Sequence, residues 1–168
     1  MITHSEFDYV TPYAIMVGYW AGLASVYDAK GNYVDSTESR VAIYWKEPGK
    51  VMHFRQAEEN TEKLTKEHAR WIFVDFDLTI EGKSCSGASK AMTVTGIESS
   101  PGVYLFHLKS KGQKGEHYYN NQYFIDPNER HIIGPCVTHD GEISSVISQA
   151  FTRISYDVLD KFKREMPK

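Results

Sequence analysis

The sequence has only two cysteines, Cys85 and Cys136, in 168 residues. Two thiols far apart make neither a disulfide framework nor a zinc spacing, and both are expected to be reduced. No stretch approaches the roughly 18 to 20 apolar residues that a spanning helix needs, so no membrane span is expected. The first residues, MITHSEFDYV, carry acidic side chains early and no basic segment ahead of an apolar core. That is not the layout of a secretory signal, and a cytoplasmic protein is expected. Basic runs are missing as well. The 19 lysines and arginines are mixed with 22 acidic residues for a formal charge of −3, which argues against nucleic acid as a partner. No glycine-rich phosphate loop leads from a strand into a helix, and no Gly-x-Ser-x-Gly elbow occurs.

What the chain does have is alternation. Period-two patterning runs from Val17 to about Ser155, broken by turn signals at short intervals. Strands are predicted over Val17–Asp28, Tyr33–Trp45, Val51–Gln56, Trp71–Ile80, Ser89–Ile97, Val103–Ser110, Glu116–Ile125, His131–Thr138 and Glu142–Ser155. Their separators include Asp28-Ala29-Lys30-Gly31, Glu47-Pro48-Gly49-Lys50 and Ser100-Pro101-Gly102, all good turn sequences. The segment Glu58–Arg70 is charged and reads as a loop or a short helical turn, and Ser84-Cys85-Ser86-Gly87 reads as a bend. Nine or so strands in sequence order predict an antiparallel up-and-down meander. A meander of that length closes on itself or folds into two sheets, because open edges invite aggregation. The expected architecture is all-β: one barrel domain of about 8–10 strands over residues 1–168. It would be preceded by an N-terminal segment, 1–16, and followed by a C-terminal helix, 156–166. On that helix Val158, Leu159, Phe162 and Met166 share a face.

The pattern Gly18-Tyr19-Trp20 on the first strand, followed by this meander and a late helix, resembles the calycin superfamily. That group includes lipocalins, fatty-acid-binding proteins and nitrobindins. The resemblance implies a calycin-like barrel in which Trp20 plugs the closed end and Arg153 packs across its ring through a cation–π contact. The chain departs from the lipocalins in lacking their Thr-Asp-Tyr turn and export signal, and so resembles an intracellular branch. Nitrobindins hold haem through a late histidine, and Glu142–Lys168 contains none. No cofactor is therefore expected.

A barrel of about eight strands is wide enough to hold one small ligand. Several strand faces mix polar and apolar residues, as a cavity needing a few orienting groups would. Tyr44, Arg55, His117, Tyr119 and Tyr123 are the candidate ligand contacts, and at least two of Tyr44, Arg55, Tyr119 and Tyr123 are expected to line the cavity. An enclosed Arg55 guanidinium would take a carboxylate bidentately, as fatty-acid carriers do. Seven histidines show no HxH, HxxxH or HExxH spacing, and convergence of His53, His107 and His117 is the one route to a metal considered. No metal is expected.

The first functional reading is a carrier of a small hydrophobic or amphipathic molecule. The second is a cofactor-free enzyme on the same barrel, an isomerase, cyclase, lyase or decarboxylase. In it Asp75, Asp77 or a tyrosine beside His117 would move the proton. A third is an interaction module using barrel aromatics such as Tyr118 and Phe124, and a homodimer is left open.

Overall fold

The structure is a computed structural model that describes residues 11–59, 71–112, 115–155 and 157. The expected helix at 156–166, apart from residue 157, and the first ten residues lie outside the described residues. Ten strands follow one another: β1 (Gly18–Asp28), β2 (Tyr33–Glu47), β3 (Val51–Glu59), β4 (Trp71–Glu81), β5 (Ser84–Ala88), β6 (Met92–Ser100), β7 (Val103–Ser110), β8 (His117–Asp126), β9 (Glu129–Val137) and β10 (Ile143–Ile154). Each pairs antiparallel with its sequence neighbours, and β10 returns to pair with β1, closing an all-β barrel.

Local chemistry explains the turns. Asp28 Oδ1 accepts from the backbone N–H groups of Lys30 and Asn32, each at 2.9 Å, while Gly31 takes a φ of 83° that other residues avoid. The alternation explains the faces. On β4, Val74, Phe76, Leu78 and Ile80 point inward while Asp75, Asp77 and Thr79 face out.

Two features depart from the sequence expectation. The segment Ser84–Ala88 is not a bend but a full strand, pairing Asp77 with Ala88 on one side and Cys85 with Gly96 on the other. Five small residues carry no alternating large side chains, so nothing in the pattern marks it. Strand β3 also runs past Gln56, through the start of the charged segment, and reaches the pair Glu59↔Trp71.

The β8–β9 ladder skips Tyr119 and Asn120, opposite Gly134 and Pro135, where proline has no N–H to give. A Cβ at Gly134 would collide with the Tyr119 carbonyl. Gly134→Ala should therefore cost about 2 to 3 kcal/mol, as overpacking does elsewhere. An unchanged urea midpoint would show that these strands part freely.

One end of the barrel is shut by aromatic packing. Trp20 is fully buried, and its Nε1 donates to the Met16 carbonyl at 3.0 Å. A 3-10 turn at Ala14–Met16 carries the chain across this end. Tyr13, just before it, holds a φ of 67° and donates from its hydroxyl to the Lys83 carbonyl at 2.8 Å. Arg153 lies over the Trp20 ring, 4.2 Å from its centroid, and spreads its donors over three backbone carbonyls: Val17 at 2.6 Å, Ile15 at 3.0 Å and Pro127 at 3.0 Å. It thereby joins the N-terminal segment, the last strand and the β8–β9 turn.

Candidate functional site

Inside the barrel, beyond this plug, is a cavity of about 310 Å³. That lies at the small end of the range for small-molecule pockets, roughly 300 to 1,000 Å³. Its walls are apolar, with Phe54, Phe76, Leu78, Val94, Phe106, Leu108 and Ile132 among them, and Phe54 and Phe76 stack at 4.9 Å and 18°. Four amide side chains break the apolar surface: Gln56 from β3, Asn120 and Gln122 from β8, and Gln149 from β10. None of the described residues lining the cavity is charged.

The polar groups differ in how fully they are satisfied. Gln56 Nε2 donates to Ser39 Oγ at 3.0 Å. Tyr118 donates from its hydroxyl to Glu116 Oε2 at 3.0 Å, and burial, reinforced by that bond, raises its pKa. Gln122 Oε1 is buried with no partner among the described residues. Behind Gln122, toward the plug, Arg130 is completely buried, 4.9 Å from the ring centroids of both Trp20 and Phe151. Its Nε and both terminal nitrogens find no hydrogen-bond partner there.

The sequence-derived candidates sit on the other side of the sheet. Arg55 is exposed, its Nε 3.8 Å from Asp75 Oδ2. Tyr44 is exposed and packs on the His53 ring at 4.9 Å. Tyr119 stacks on His107 at 4.8 Å, and Tyr123 packs on His131 at 5.6 Å, both about 41% exposed. His117 is half-buried, with Nδ1 2.7 Å from His107 Nε2. The expectation that at least two of Tyr44, Arg55, Tyr119 and Tyr123 line the cavity is corrected. Each lies one residue from an inward-facing position, and a one-residue shift exchanges the faces of a strand. Arg55 stands between Phe54 and Gln56, and Tyr119 between Tyr118 and Asn120.

The carboxylates considered for proton transfer also face outward. Asp75 and Asp77 grip His53 from either side, at 2.8 Å on Nε2 and 2.6 Å on Nδ1, and Lys46 bonds Asp77 at 2.7 Å. The Lys46 ammonium, then His53, holds the Asp77 carboxyl below its usual range. His107 is lowered by burial first and by the adjacent His117 second. Among the described residues, no three histidine, cysteine or acidic side chains are grouped to hold a metal. Both cysteines are buried and free, and burial pushes the Cys85 thiol up to about 11, which keeps it protonated and unreactive at neutral pH. Arg130 and the amide set were missed by sequence reasoning.

No family model matches this sequence, and no curated protein matches it either. Solved structures do. A protein of unknown function from the DUF3598 family of Nostoc punctiforme superposes with a TM-score of 0.64 at 14% identity, over 83% of this chain. This chain spans only about half of the Nostoc protein, 48% of its length. An S-type phycobiliprotein lyase from Guillardia theta superposes with a TM-score of 0.61, also at 14% identity, over 85% of this chain and 90% of its own. The likeness is one of fold. Among the described residues, no helix is long and apolar enough to cross a membrane.

Proposed function

We propose that this chain is a cytoplasmic, lipocalin-like barrel of the calycin type that binds a small hydrophobic or amphipathic molecule in its interior. The observation that carries this reading is the cavity itself: apolar walls, a few neutral hydrogen-bonding groups and a plugged floor. The ordinary alternative for a barrel is an interior filled by side chains. Two buried, unpaired thiols fit a reducing compartment.

An enzymatic reading, which the name of the Guillardia protein would suggest, has less to work with. Tyr118 is the only titratable side chain among the described residues lining the cavity, and its raised pKa suits it to structure more than to proton transfer at neutral pH.

Titration with a neutral solvatochromic dye such as Nile red should give saturable, one-to-one binding with a blue-shifted emission. Leu108→Trp, which places an indole in the cavity, should abolish that signal while far-ultraviolet circular dichroism stays unchanged. Dye binding that survives this substitution would put the dye on the outer surface and remove the interior-site reading.

A further inference from the structure

Most polar groups around the cavity are already committed. Gln56 donates to Ser39, Tyr118 donates to Glu116, and Ser110 Oγ accepts from the Gly112 N–H at 3.1 Å. Gln149 is engaged as well. Gln122 is only 5% exposed, and its Oε1 is sealed from the open space. Asn120 differs from all of these. It lines the cavity and is half-buried, and its carboxamide makes no hydrogen bond with any of the described residues.

The register accounts for this. Asn120 pairs with Phe106 on β7, which pairs in turn with Gly96 on β6. On its other side it falls opposite Gly134, whose partner on β10 is Ile147. Across these five strands Asn120 is thus the single polar side chain in a row of phenylalanine, isoleucine and glycine. A carboxamide has two N–H donors and an acceptor oxygen, and polar groups in such a wall take partners from whatever enters beside them. Resting on the ligand-cavity reading above, we propose that Asn120 orients the ligand, an apolar molecule carrying one oxygen head group. The Asn120 Nδ2 amide donates to that oxygen. Carbonyl, hydroxyl and carboxylate oxygens all accept such a bond, so the donor fixes where the head points rather than its charge. The body of the ligand lies against Phe106 and the stacked Phe54 and Phe76 rings.

Three probes with one bicyclic body test this by equilibrium dialysis on the full chain: 2-acetylnaphthalene, its hydrocarbon isostere 2-isopropenylnaphthalene, and 2-naphthoate. Asn120→Leu, which keeps the side-chain volume and removes the donor, should weaken 2-acetylnaphthalene about tenfold, the scale of one lost hydrogen bond to a buried acceptor. The hydrocarbon should bind that variant at least as well as the wild type, which also reports that the barrel is intact. The carbonyl stretch of bound 2-acetylnaphthalene is a second readout. It should lie below its position in hexane in the wild type and return to that position in Asn120→Leu. A wild-type stretch at the hexane position overturns the proposal without recourse to a variant, and so does a ketone-to-hydrocarbon affinity ratio that Asn120→Leu leaves unchanged. A carboxylate held by Asn120 should weaken in parallel with the ketone. Tight 2-naphthoate binding that ignores the substitution would mean that another group holds the head, and would also overturn the proposal. Equal changes for all three probes defeat the role of Asn120 and leave the cavity reading standing. Failure of every probe to bind the wild type defeats both.

Discussion

Replacing Trp20 with alanine should lower the free energy of unfolding by about 3 to 5 kcal/mol, the usual cost of deleting a buried indole. The ring is fully buried and lies near two guanidinium groups, Arg153 at 4.2 Å and Arg130 at 4.9 Å. Phe124 meets it edge-on at 5.7 Å. Alanine would leave a void on the Trp20 side of both arginines, and the Met16 carbonyl would lose its indole donor. Trp20→Phe keeps much of the packing and gives up the hydrogen bond, so its cost should be nearer 1 to 2 kcal/mol, on the scale of a lost buried bond. Equilibrium urea denaturation measures both. A change below about 1 kcal/mol for the alanine variant, the range of surface sites, would mean that Trp20 does not plug the barrel.

Arg130→Met should have the opposite sign and stabilise the protein by about 1 to 4 kcal/mol, as replacing buried ionic groups with packed apolar ones often does. The guanidinium is withdrawn from water, and no carboxylate or carbonyl among the described residues meets its nitrogens. The Trp20 and Phe151 rings offset only part of that cost. Burial, and secondarily the nearby Arg153 charge, depresses the Arg130 pKa to about 9. In the unfolded chain it stays in the ordinary arginine range, above about 12. From roughly pH 9 upward the unfolded state therefore binds more protons than the folded one, and wild-type stability rises relative to the variant. The stability gap should be widest below about pH 8 and should shrink as pH rises through about 9 toward pH 10. Tyr13 and Tyr104, both raised by burial, are common to both proteins and largely cancel in the difference. A gap that widens over this interval, or an Arg130→Met variant less stable than wild type, would show that the guanidinium has a partner in solution.

The fold was legible because its main signal is periodic. Turns at Asp28–Gly31 and Glu47–Lys50 are written in residues with one conformational use, and strands such as β4 separate their faces by polarity. Strand β5 escaped because serine, cysteine, glycine and alanine carry no amphipathic contrast. The site was harder for a related reason. On β8 both faces are polar and aromatic: Tyr118, Asn120, Gln122 and Phe124 on one, His117, Tyr119, Asn121 and Tyr123 on the other. Composition cannot choose between them. Pairing does, because Gln122, Asn120 and Tyr118 stand opposite Tyr104, Phe106 and Leu108, whose inward direction is fixed by the core. Arg130 was hidden differently. On the Glu129–Val137 strand it alternates with Ile132, and an arginine on an apolar face gives no local indication that two aromatic rings will receive it.

The ladder between β1 and β10 sets the order in which this chain can assemble. Each of the other nine ladders joins strands that are neighbours in sequence, so their ends meet over far less chain and lose less entropy. Closure pairs Asp28 with Ser145, more than a hundred residues away, at an entropic cost roughly 3 kcal/mol above that of a four-residue turn. Hairpins can therefore form early and independently, whereas the seam is assembled against the steepest entropic opposition. Trp20 and Arg153 face each other across that seam, where their packing helps hold the ring shut. A chain stalled before closure would present β1 and β10 as two open edges. The plug at the barrel floor thus also guards the folding pathway at its most vulnerable step.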